Sequence, residues 1–350
     1  MALDPALSLG EGGETVVCTL GMHRSGTSLV SRMLNLLGLY LGPDEQISAT
    51  GDDNPRGYWE HRSFVEINEQ ILARLGGRWD QPPPFPPAWA CDPRLADLKE
   101  DARRLVAEEF GARPRWGWKD PRTCLTLPFW QAVVGPMRYV LCVRSPRAVM
   151  GSLTRRNGFL PEKGERLWLG HLQASLAHTS GRPRLLVCYE DVLDDWPLEL
   201  DRLAAFLGDP ERARDPRVRE AVGRFVDDEM CHHNGSLEEV AGDTRVSVPA
   251  LGLYAALRGG TSLDTLDVLG LRAVEAWDRT AALTAERDAL AGESRAQRAA
   301  LTEQGQALRT IQESRAWRLV LRWRGMAGRL LPPGSRRRRA LDALLARLTS

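Results

Sequence analysis

The side chains best suited to chemistry are concentrated in residues 21–28, Gly-Met-His-Arg-Ser-Gly-Thr-Ser, here called the 21–28 loop. An apolar, β-branched run ends at Gly21, and apolar residues recur at helical spacing after Thr27, so we predict a strand, a tight loop and a helix. A loop at such a junction points its backbone N–H groups, and the positive end of the helix dipole, at one spot. We therefore predict a phosphate-binding site there.

The two glycines of this loop, Gly21 and Gly26, have the spacing of the nucleotide-triphosphatase motif G-x-x-x-x-G-K-[ST]. That motif needs a Lys directly after the second Gly to reach the β- and γ-phosphates, whereas this chain has Thr27. Its cation stands earlier, at Arg24. A nucleotide kinase or NTPase with a degenerate loop is therefore an alternative enzyme class. A tight turn that binds no ligand is the alternative for the loop taken alone.

Two further polar signals follow predicted strands. Arg144 lies at the end of the apolar run 138–143, and Ser152 lies one to two turns into the next predicted helix, so both are expected to face one phosphate beside the sheet. Lys119 stands at the end of the predicted strand 115–119. Because ligands of open α/β sheets bind outside the carboxyl ends of the strands, we expect these side chains near the 21–28 loop.

In combination, these segments resemble the sulfotransferases that use 3′-phosphoadenosine 5′-phosphosulfate (PAPS). The 21–28 loop is similar to the family's P-[KR]-S-G-T-[TS] segment, Arg144 and Ser152 to its R-x-P-x-x-x-x-x-S segment, and Lys119 to the Lys of K-[DST]-P. The likeness covers about residues 14–225 and is closer to the bacterial and carbohydrate- or tyrosylprotein-type branch than to the cytosolic aryl branch. It departs from many relatives at Ala148, where they carry Asp, and it lacks the aryl branch's R-K-G segment.

The resemblance implies an enzyme that transfers a sulfonate from PAPS to an acceptor hydroxyl without a metal ion. The donor-binding residues that it implies are Arg24, Ser25, Gly26, Thr27, Ser28, Arg144 and Ser152. Arg24 and Lys119 would also stabilise the charge that builds on the leaving oxygen, commonly the largest catalytic contribution. For the base that accepts the acceptor's proton we predict Glu60, with His61 and Glu45 as alternatives.

The resemblance and the helical tail both favour a carbohydrate acceptor, since such extensions tether enzymes to surface assemblies. The non-enzymatic alternative is a scaffold, in which an α/β domain binds nucleotide without turnover and residues 263–350 mediate assembly. No nucleic-acid partner is predicted, because 47 Lys and Arg against 46 Asp and Glu leave a formal net charge of only +1.

The cellular setting follows from cysteine usage and hydropathy. The six cysteines form no C-x-x-C pair and have no metal-ligand spacing, which indicates a reducing compartment and no metal site. Residues 1–13 lack a basic and an apolar region of the kind that directs secretion, and no run of about 18 apolar residues occurs in the chain. We expect a cytoplasmic protein.

Strands alternate with helices through the first two thirds of the chain, which predicts an α/β fold with a doubly wound, mostly parallel sheet. The resemblance implies that this sheet has P-loop-like sulfotransferase architecture. We predict a sulfotransferase domain over 14–262, closed by a Gly-, Pro- and Ser-containing linker from 226, and a helical extension over 263–350 with an intermittent, coiled-coil-like apolar stripe. The mixture of Arg, Trp and aliphatic residues over 315–324, with the basic run 336–339, predicts peripheral contact with the inner face of a membrane or self-association.

Overall fold

The computed structural model describes residues 14–48, 57–226, 236–332 and 334–348. The chain divides into two compact units, Met1–Asp278 and Arg279–Ser350. The first unit contains the sheet and every predicted site residue. The division falls inside one long helix, so the first turns of the predicted tail belong to the first unit.

Four parallel strands form the sheet of the first unit. They are β1 (Thr15–Leu20), β2 (Arg115–Lys119), β3 (Arg138–Val143) and β4 (Arg184–Cys188), in the order β2-β1-β3-β4. In the register, Cys18 of β1 pairs with Trp118 of β2 on one side and with Tyr139 of β3 on the other. The carboxyl ends of all four strands therefore share one edge, with β1 in the interior. This confirms the predicted α/β class with a mostly parallel sheet and a C-terminal helical extension.

The helices come in chain order, and several are flanked by short 3₁₀ or π turns. They are α1 (Thr27–Leu36), α2 (Arg62–Arg74), α3 (Ala96–Leu105), α4 (Thr123–Val134), α5 (Pro146–Asn157), α6 (Pro161–Thr179), α7 (Tyr189–Asp194), α8 (Trp196–Leu207), α9 (Pro216–Phe225), α10 (Leu237–Ala241), α11 (Val248–Arg258), α12 (Leu263–Glu313), α13 (Arg315–Leu330) and α14 (Arg336–Leu348). A helix follows each of the four strands within ten residues, as a doubly wound sheet requires.

Both faces of the sheet are buried. Successive side chains of a strand point to opposite faces, so Val16, Cys18 and Leu20 of β1 join one hydrophobic core while Val17 joins the other. The side chains of β3 alternate between the two cores in the same way. Burial on both faces explains why these strands are almost wholly apolar in sequence.

An aromatic cluster in the first core positions two of the elements that carry site residues. The ring of Phe64 on α2 stacks on Trp118 of β2 with centroids 4.7 Å apart, and it lies 4.6 Å from the ring of Trp130 on α4. All three side chains are fully buried. Burial of each contributes about 1.5–3 kcal/mol, so the start of α2 is held firmly against the end of β2.

The segment predicted as a closing linker contains two helices. Ser236 and Glu239 form a reciprocal capping box at the start of α10, and Ser247 caps α11. Tyr254 and Leu257 of α11 are buried in the first core. The Gly, Pro and Ser residues that suggested a loop thus serve partly as helix caps, and α11 is a structural part of the domain.

The long helix α12 has 51 residues and is buried only at Leu266, Gly270 and Ala273. The apolar side chains predicted to form a stripe, such as Leu283 and Leu301, are both 67% exposed. Among the described residues, no helix has the length and apolar character needed to cross a membrane.

Candidate active site

The 21–28 loop connects β1 to α1 and has a concave backbone. Arg24 and Gly26 both have left-handed backbone angles, with φ of +71° and +81°. Ser25 N donates to the Met22 carbonyl at 3.1 Å, which closes the turn. Gly26 occupies the N-cap of α1 and provides no side chain to cap the helix. The first N–H groups of α1 are thus directed at a spot where an anion would be stabilised by the helix dipole.

Tyr189 adjoins both Gly26 of the loop and Arg144. A Cβ atom at Gly26 would lie 2.2 Å from Cδ2 of Tyr189, so only glycine fits beneath this ring. The guanidinium carbon of Arg144 lies 4.2 Å from the centre of the same ring. Tyr189 therefore sets the spacing between the loop and Arg144. Sequence reasoning gave Tyr189 no role.

The residues predicted for the two ends of the donor are in contact. Arg24 Nε donates to Ser152 Oγ at 2.8 Å, and Arg144 Nη1 donates to the Arg24 carbonyl at 3.3 Å. Ser152 is 7% exposed. The Nε atom of Arg144 is enclosed and has no hydrogen-bond partner among the described residues. An enclosed guanidinium N–H without an acceptor suits an anionic ligand.

Glu190 positions the segment that carries Arg144. Its Oε1 accepts from Ser145 N at 2.9 Å, which joins the ends of β3 and β4. Burial raises the pKa of Glu190, while the Ser145 N–H and the Arg144 guanidinium oppose that rise. The Trp168 indole donates to the Arg144 carbonyl at 3.0 Å and fixes the backbone from the other side. Sequence reasoning missed Glu190 and Trp168 as residues that position Arg144.

Lys119 and Glu60, both predicted as catalytic, form an ion pair. Lys119 Nζ lies 2.7 Å from Glu60 Oε1 and 3.3 Å from Ser28 Oγ. The lysine is 1% exposed, and the Glu60 side chain is 14% exposed. Ser28 in turn donates to the Tyr58 carbonyl at 3.0 Å. The structure thus brings the predicted base and the predicted cation to the first turn of α1.

The backbone at Glu60 is held on both sides. Ser48 N donates to the Glu60 carbonyl at 2.7 Å. His61 is 1% exposed, and its Nε2 lies 2.8 Å from Glu109 Oε2. Burial lowers the pKa of His61, while Glu109 opposes that change. An enclosed ring cannot collect a proton from an acceptor, so the geometry favours Glu60 over His61. Glu45, the other alternative, is exposed in the short turn Asp44–Gln46.

A buried polar network supports the end of β2. Asn68 Nδ2 donates to Asp120 Oδ2 at 2.8 Å, and Asn68 Oδ1 accepts from the Trp130 indole at 2.8 Å. Arg122 Nη1 donates to Asp120 Oδ1 at 2.9 Å. Sequence reasoning missed Asn68. The sequence does contain a sign of its role, because Asn68 lies four residues after Phe64, on the apolar face of α2, where an unsatisfied amide would be costly.

The environment of the loop is electropositive. Burial lowers the pKa of His23, and Arg122, His171, Lys119 and Arg156 lower it further. Together with Arg24 and Arg144, the cations Arg122, Lys119 and Arg156 favour a ligand that carries several negative charges. The predicted donor, with a 3′-phosphate and a sulfated 5′-phosphate, fits this set of residues: the uncapped helix start suits one phosphate and the enclosed Arg144 N–H the other.

An apolar cavity of about 620 Å³ lies between residues 82–85, which include three prolines, and α6. Its lining includes Phe85, Trp89, Leu125 and His171. The cavity is linked to the 21–28 loop through Trp79, which packs with Phe85 on the small Leu125 cluster and whose ring lies 4.2 Å from that of His23.

No cluster of three or more His, Cys, Asp or Glu side chains in the described ranges has the geometry to hold a metal ion. No protein-family model matches the chain, and no curated protein matches it.

Several solved structures are weakly similar to this chain. The sulfotransferase domain of the Synechococcus PCC 7002 olefin synthase is 19% identical with a TM-score of 0.37, over 77% of this chain and 97% of that one. A sulfotransferase from Mycobacterium avium is 14% identical with a TM-score of 0.41, over 69% and 76%. Retinol dehydratase in complex with androsterone and PAP is 15% identical with a TM-score of 0.32, over 76% and 80%. The chain is thus similar to sulfotransferase structures at TM-scores too low to carry an argument, and the residues of its site carry the functional assignment.

Proposed function

We propose that this chain is a sulfotransferase that moves a sulfonate from PAPS to an acceptor hydroxyl. The observation that carries the proposal is the contact between the two predicted halves of the donor site. Arg24 of the 21–28 loop donates to Ser152 of α5 and accepts at its carbonyl from Arg144. Two phosphate-binding groups that adjoin each other match a nucleotide with phosphates at its 5′ and 3′ positions.

The donor, when bound, supplies a sulfonate whose S–O bond to the bisphosphate breaks as the acceptor oxygen bonds to sulfur. Arg24, the N–H groups at the start of α1 and the hydroxyls of Ser25, Thr27 and Ser28 hold the 5′ end and stabilise negative charge there. Arg144 and Ser152 hold the 3′-phosphate. Glu60 accepts the proton that the acceptor hydroxyl loses, which balances the reaction.

Lys119 links the base to the loop. Its Nζ is within hydrogen-bonding range of both Glu60 and Ser28, so a single buried cation contacts the proton-accepting carboxylate and the first turn of α1. A cation at this position neutralises charge on either side of the transferring group. Because Lys119 is almost fully enclosed, its field is screened little by solvent.

For the acceptor we propose a hydroxyl on a carbohydrate, as the family resemblance implies. The cavity beside α6 supports an acceptor of substantial size, since it presents the flat faces of Phe85 and Trp89 together with polar groups of Arg166 and Gln173. Turnover with PAPS and a panel of sugars, phenols and aliphatic alcohols tests this proposal. Sugars that fail while phenols react would replace the carbohydrate by an aromatic acceptor.

For the location we propose the cytoplasm. Five cysteines of the described residues are free thiols, and four of them are buried. Unpaired buried thiols are typical of proteins that fold in a reducing compartment. Fractionation of cells that express the full chain tests this proposal, and recovery in a secreted fraction would contradict it.

The first test of the proposed activity is ligand-dependent thermal stability. Adenosine 3′,5′-bisphosphate (PAP) at about 100 times its Kd should stabilise the first unit by about 2.7 kcal/mol without magnesium. Arg144→Ala should abolish this shift. The matched control is Arg103→Ala, which removes an exposed arginine of α3 and should leave the shift unchanged.

The alternatives give different results in the same assay. Stabilisation by ATP with magnesium, and none by PAP, would replace the proposal by a degenerate kinase or NTPase. Stabilisation by PAP without sulfonate transfer to any class of acceptor would favour a nucleotide-binding scaffold.

A further inference from the structure

The Arg-rich segment, residues 314–341, has a charge unlike the rest of the chain. It contains nine arginines and no Asp or Glu. The remainder of the chain therefore has 38 basic residues against 46 acidic ones, although the whole carries a formal net charge of only +1. Positive charge is concentrated in this one segment, which includes α13 and the start of α14. The proposed sulfonate transfer uses none of it.

Four of the exposed apolar side chains of α13 lie along one face, whereas Val320 and Leu321 are exposed outside it. Leu319 is 64% exposed, Trp323 61%, Met326 58% and Leu330 71%. Their spacing of four, three and four residues places them in one row on a helix. Trp317 lies apart from this row and is 36% exposed. No described residue buries the row.

The arginines of α13 occupy a separate stripe. At 100° per residue, Arg315, Arg318, Arg322 and Arg329 fall within about 60° of the helix circumference. Arg324 lies outside the stripe. The helix has 16 residues. Isolated helices of about this length are marginal in water, so a partner for the apolar row would stabilise α13 substantially.

We propose that the Arg-rich segment binds the surface of an anionic lipid bilayer. The apolar row, which includes Trp323, lies at the level of the headgroups and upper acyl chains, and the arginine stripe faces the lipid phosphates. This partner satisfies both features of α13 at once. A nucleic acid would pair with the arginines but leaves the apolar row in water. A second copy of the segment would cover the row but brings two sets of nine arginines together without any acidic residue.

The charge of the arginines determines how strongly membrane binding should respond to their removal and to salt. Each arginine near an anionic surface strengthens binding by about five-fold at moderate ionic strength. Raising the salt concentration shortens the range of this attraction and weakens binding. Guanidinium groups stay protonated across the accessible pH range, so binding should not depend on pH.

Co-sedimentation of the full-length chain with vesicles tests the inference. We expect binding to vesicles of phosphatidylcholine with phosphatidylserine, and much weaker binding to phosphatidylcholine alone. Arg318→Gln with Arg322→Gln should lower the partition coefficient at least about ten-fold. Leu319→Ser with Trp323→Ser should lower it by a similar or larger factor, because both side chains leave the interface.

Matched controls come from the exposed part of α12. Arg295→Gln with Arg298→Gln removes two arginines, and Leu301→Ser with Leu308→Ser removes two exposed leucines, yet neither pair belongs to the Arg-rich segment. Both controls should bind vesicles like the parent chain. The thermal unfolding midpoint without ligand, measured on every variant, shows that the first unit remains folded and keeps this test independent of the proposed activity.

Three outcomes would overturn the inference. One is a full-length chain that ignores anionic vesicles. Another is equal binding by the parent and by both α13 variants. The third is a chain that does not bind vesicles but forms a concentration-dependent dimer that needs Leu319, or binds single-stranded RNA through Arg318. The segment would then be a self-association surface in the first case and a nucleic-acid surface in the second.

Discussion

Replacing Gly26 by Ala should damage the site through the ring of Tyr189. The new methyl group would lie 2.2 Å from Tyr189 Cδ2, far inside the contact distance of about 3.5–4.0 Å. Gly26 also has a φ of +81°, where a non-glycine residue costs about 1–2 kcal/mol. Relief of the clash requires the ring to shift, which disturbs its stacking with Arg144, whose guanidinium carbon lies 4.2 Å from the ring centre.

The magnitude follows from these terms. Overpacking costs about 1–3 kcal/mol, and loss of the stacking of Arg144 on Tyr189 costs about 0.5–2 kcal/mol. We therefore expect the free energy of unfolding to fall by about 3 kcal/mol beyond the backbone cost. For a unit of this size that corresponds to a lowering of Tm by about 6–12 °C. Affinity for PAP should fall with it, because Arg144 loses its position.

A matched control isolates the clash. Gly38 has a φ of +98° and no atom within 4 Å of a built Cβ, so Gly38→Ala should show the backbone cost alone. In a Tyr189→Ala background, Gly26→Ala should cost no more than Gly38→Ala. Urea unfolding of the four variants measures the coupling. Additive effects of Gly26→Ala and Tyr189→Ala would refute the role given to the ring.

Three further predictions concern the base, a buried amide and acid stability. Glu60→Gln should lower kcat at least about a hundredfold with unchanged PAP affinity, whereas exposed Glu66→Gln should change neither; near-full turnover would exclude Glu60 as the base. Asn68→Ala should lower the free energy of unfolding by about 2–4 kcal/mol, because it leaves buried groups of Asp120 and Trp130 without partners; a loss below about 1 kcal/mol in urea unfolding would contradict this network. Burial lowers the pKa of His171 from 6.5 to about 4, so the folded state disfavours the proton that the unfolded chain takes up. The stability that comes from the neutral His171 is complete above pH 6.5 and is lost as the pH falls toward 4. The free energy of unfolding should therefore fall by about 2 kcal/mol between about pH 7 and about pH 5. His171→Asn should reduce that difference in urea unfolding.

Local patterns in the sequence predicted much of the fold. β2 and β3 begin and end at the predicted residues, because each is an apolar run bounded by charged residues. The 21–28 loop was predicted from its glycines and arginine, and the structure places it between a strand and a helix. These features depend on neighbours in the chain, which is what periodicity and motif spacing report.

Features that depend on distant residues were not predicted. Glu190 contacts Ser145 across the sheet, and Tyr189 lies on Gly26, more than 160 residues earlier in the chain. Both contacts require the β1–β3–β4 strand order, which no local pattern contains. Asn68 shows the same limit, since a polar residue on an apolar face has meaning only once its partners Asp120 and Trp130 are known.

Alkylation of the buried thiols can be used to follow the unfolding of this chain. Cys18, Cys142 and Cys188 lie on β1, β3 and β4, respectively, and burial raises the pKa of each, so alkylating reagents cannot reach them as thiolates in the closed sheet. Cys91 is exposed and should react at once. With Cys231, which lies outside the described residues, replaced by Ser, the mass added over time would record when each strand opens, without an attached dye.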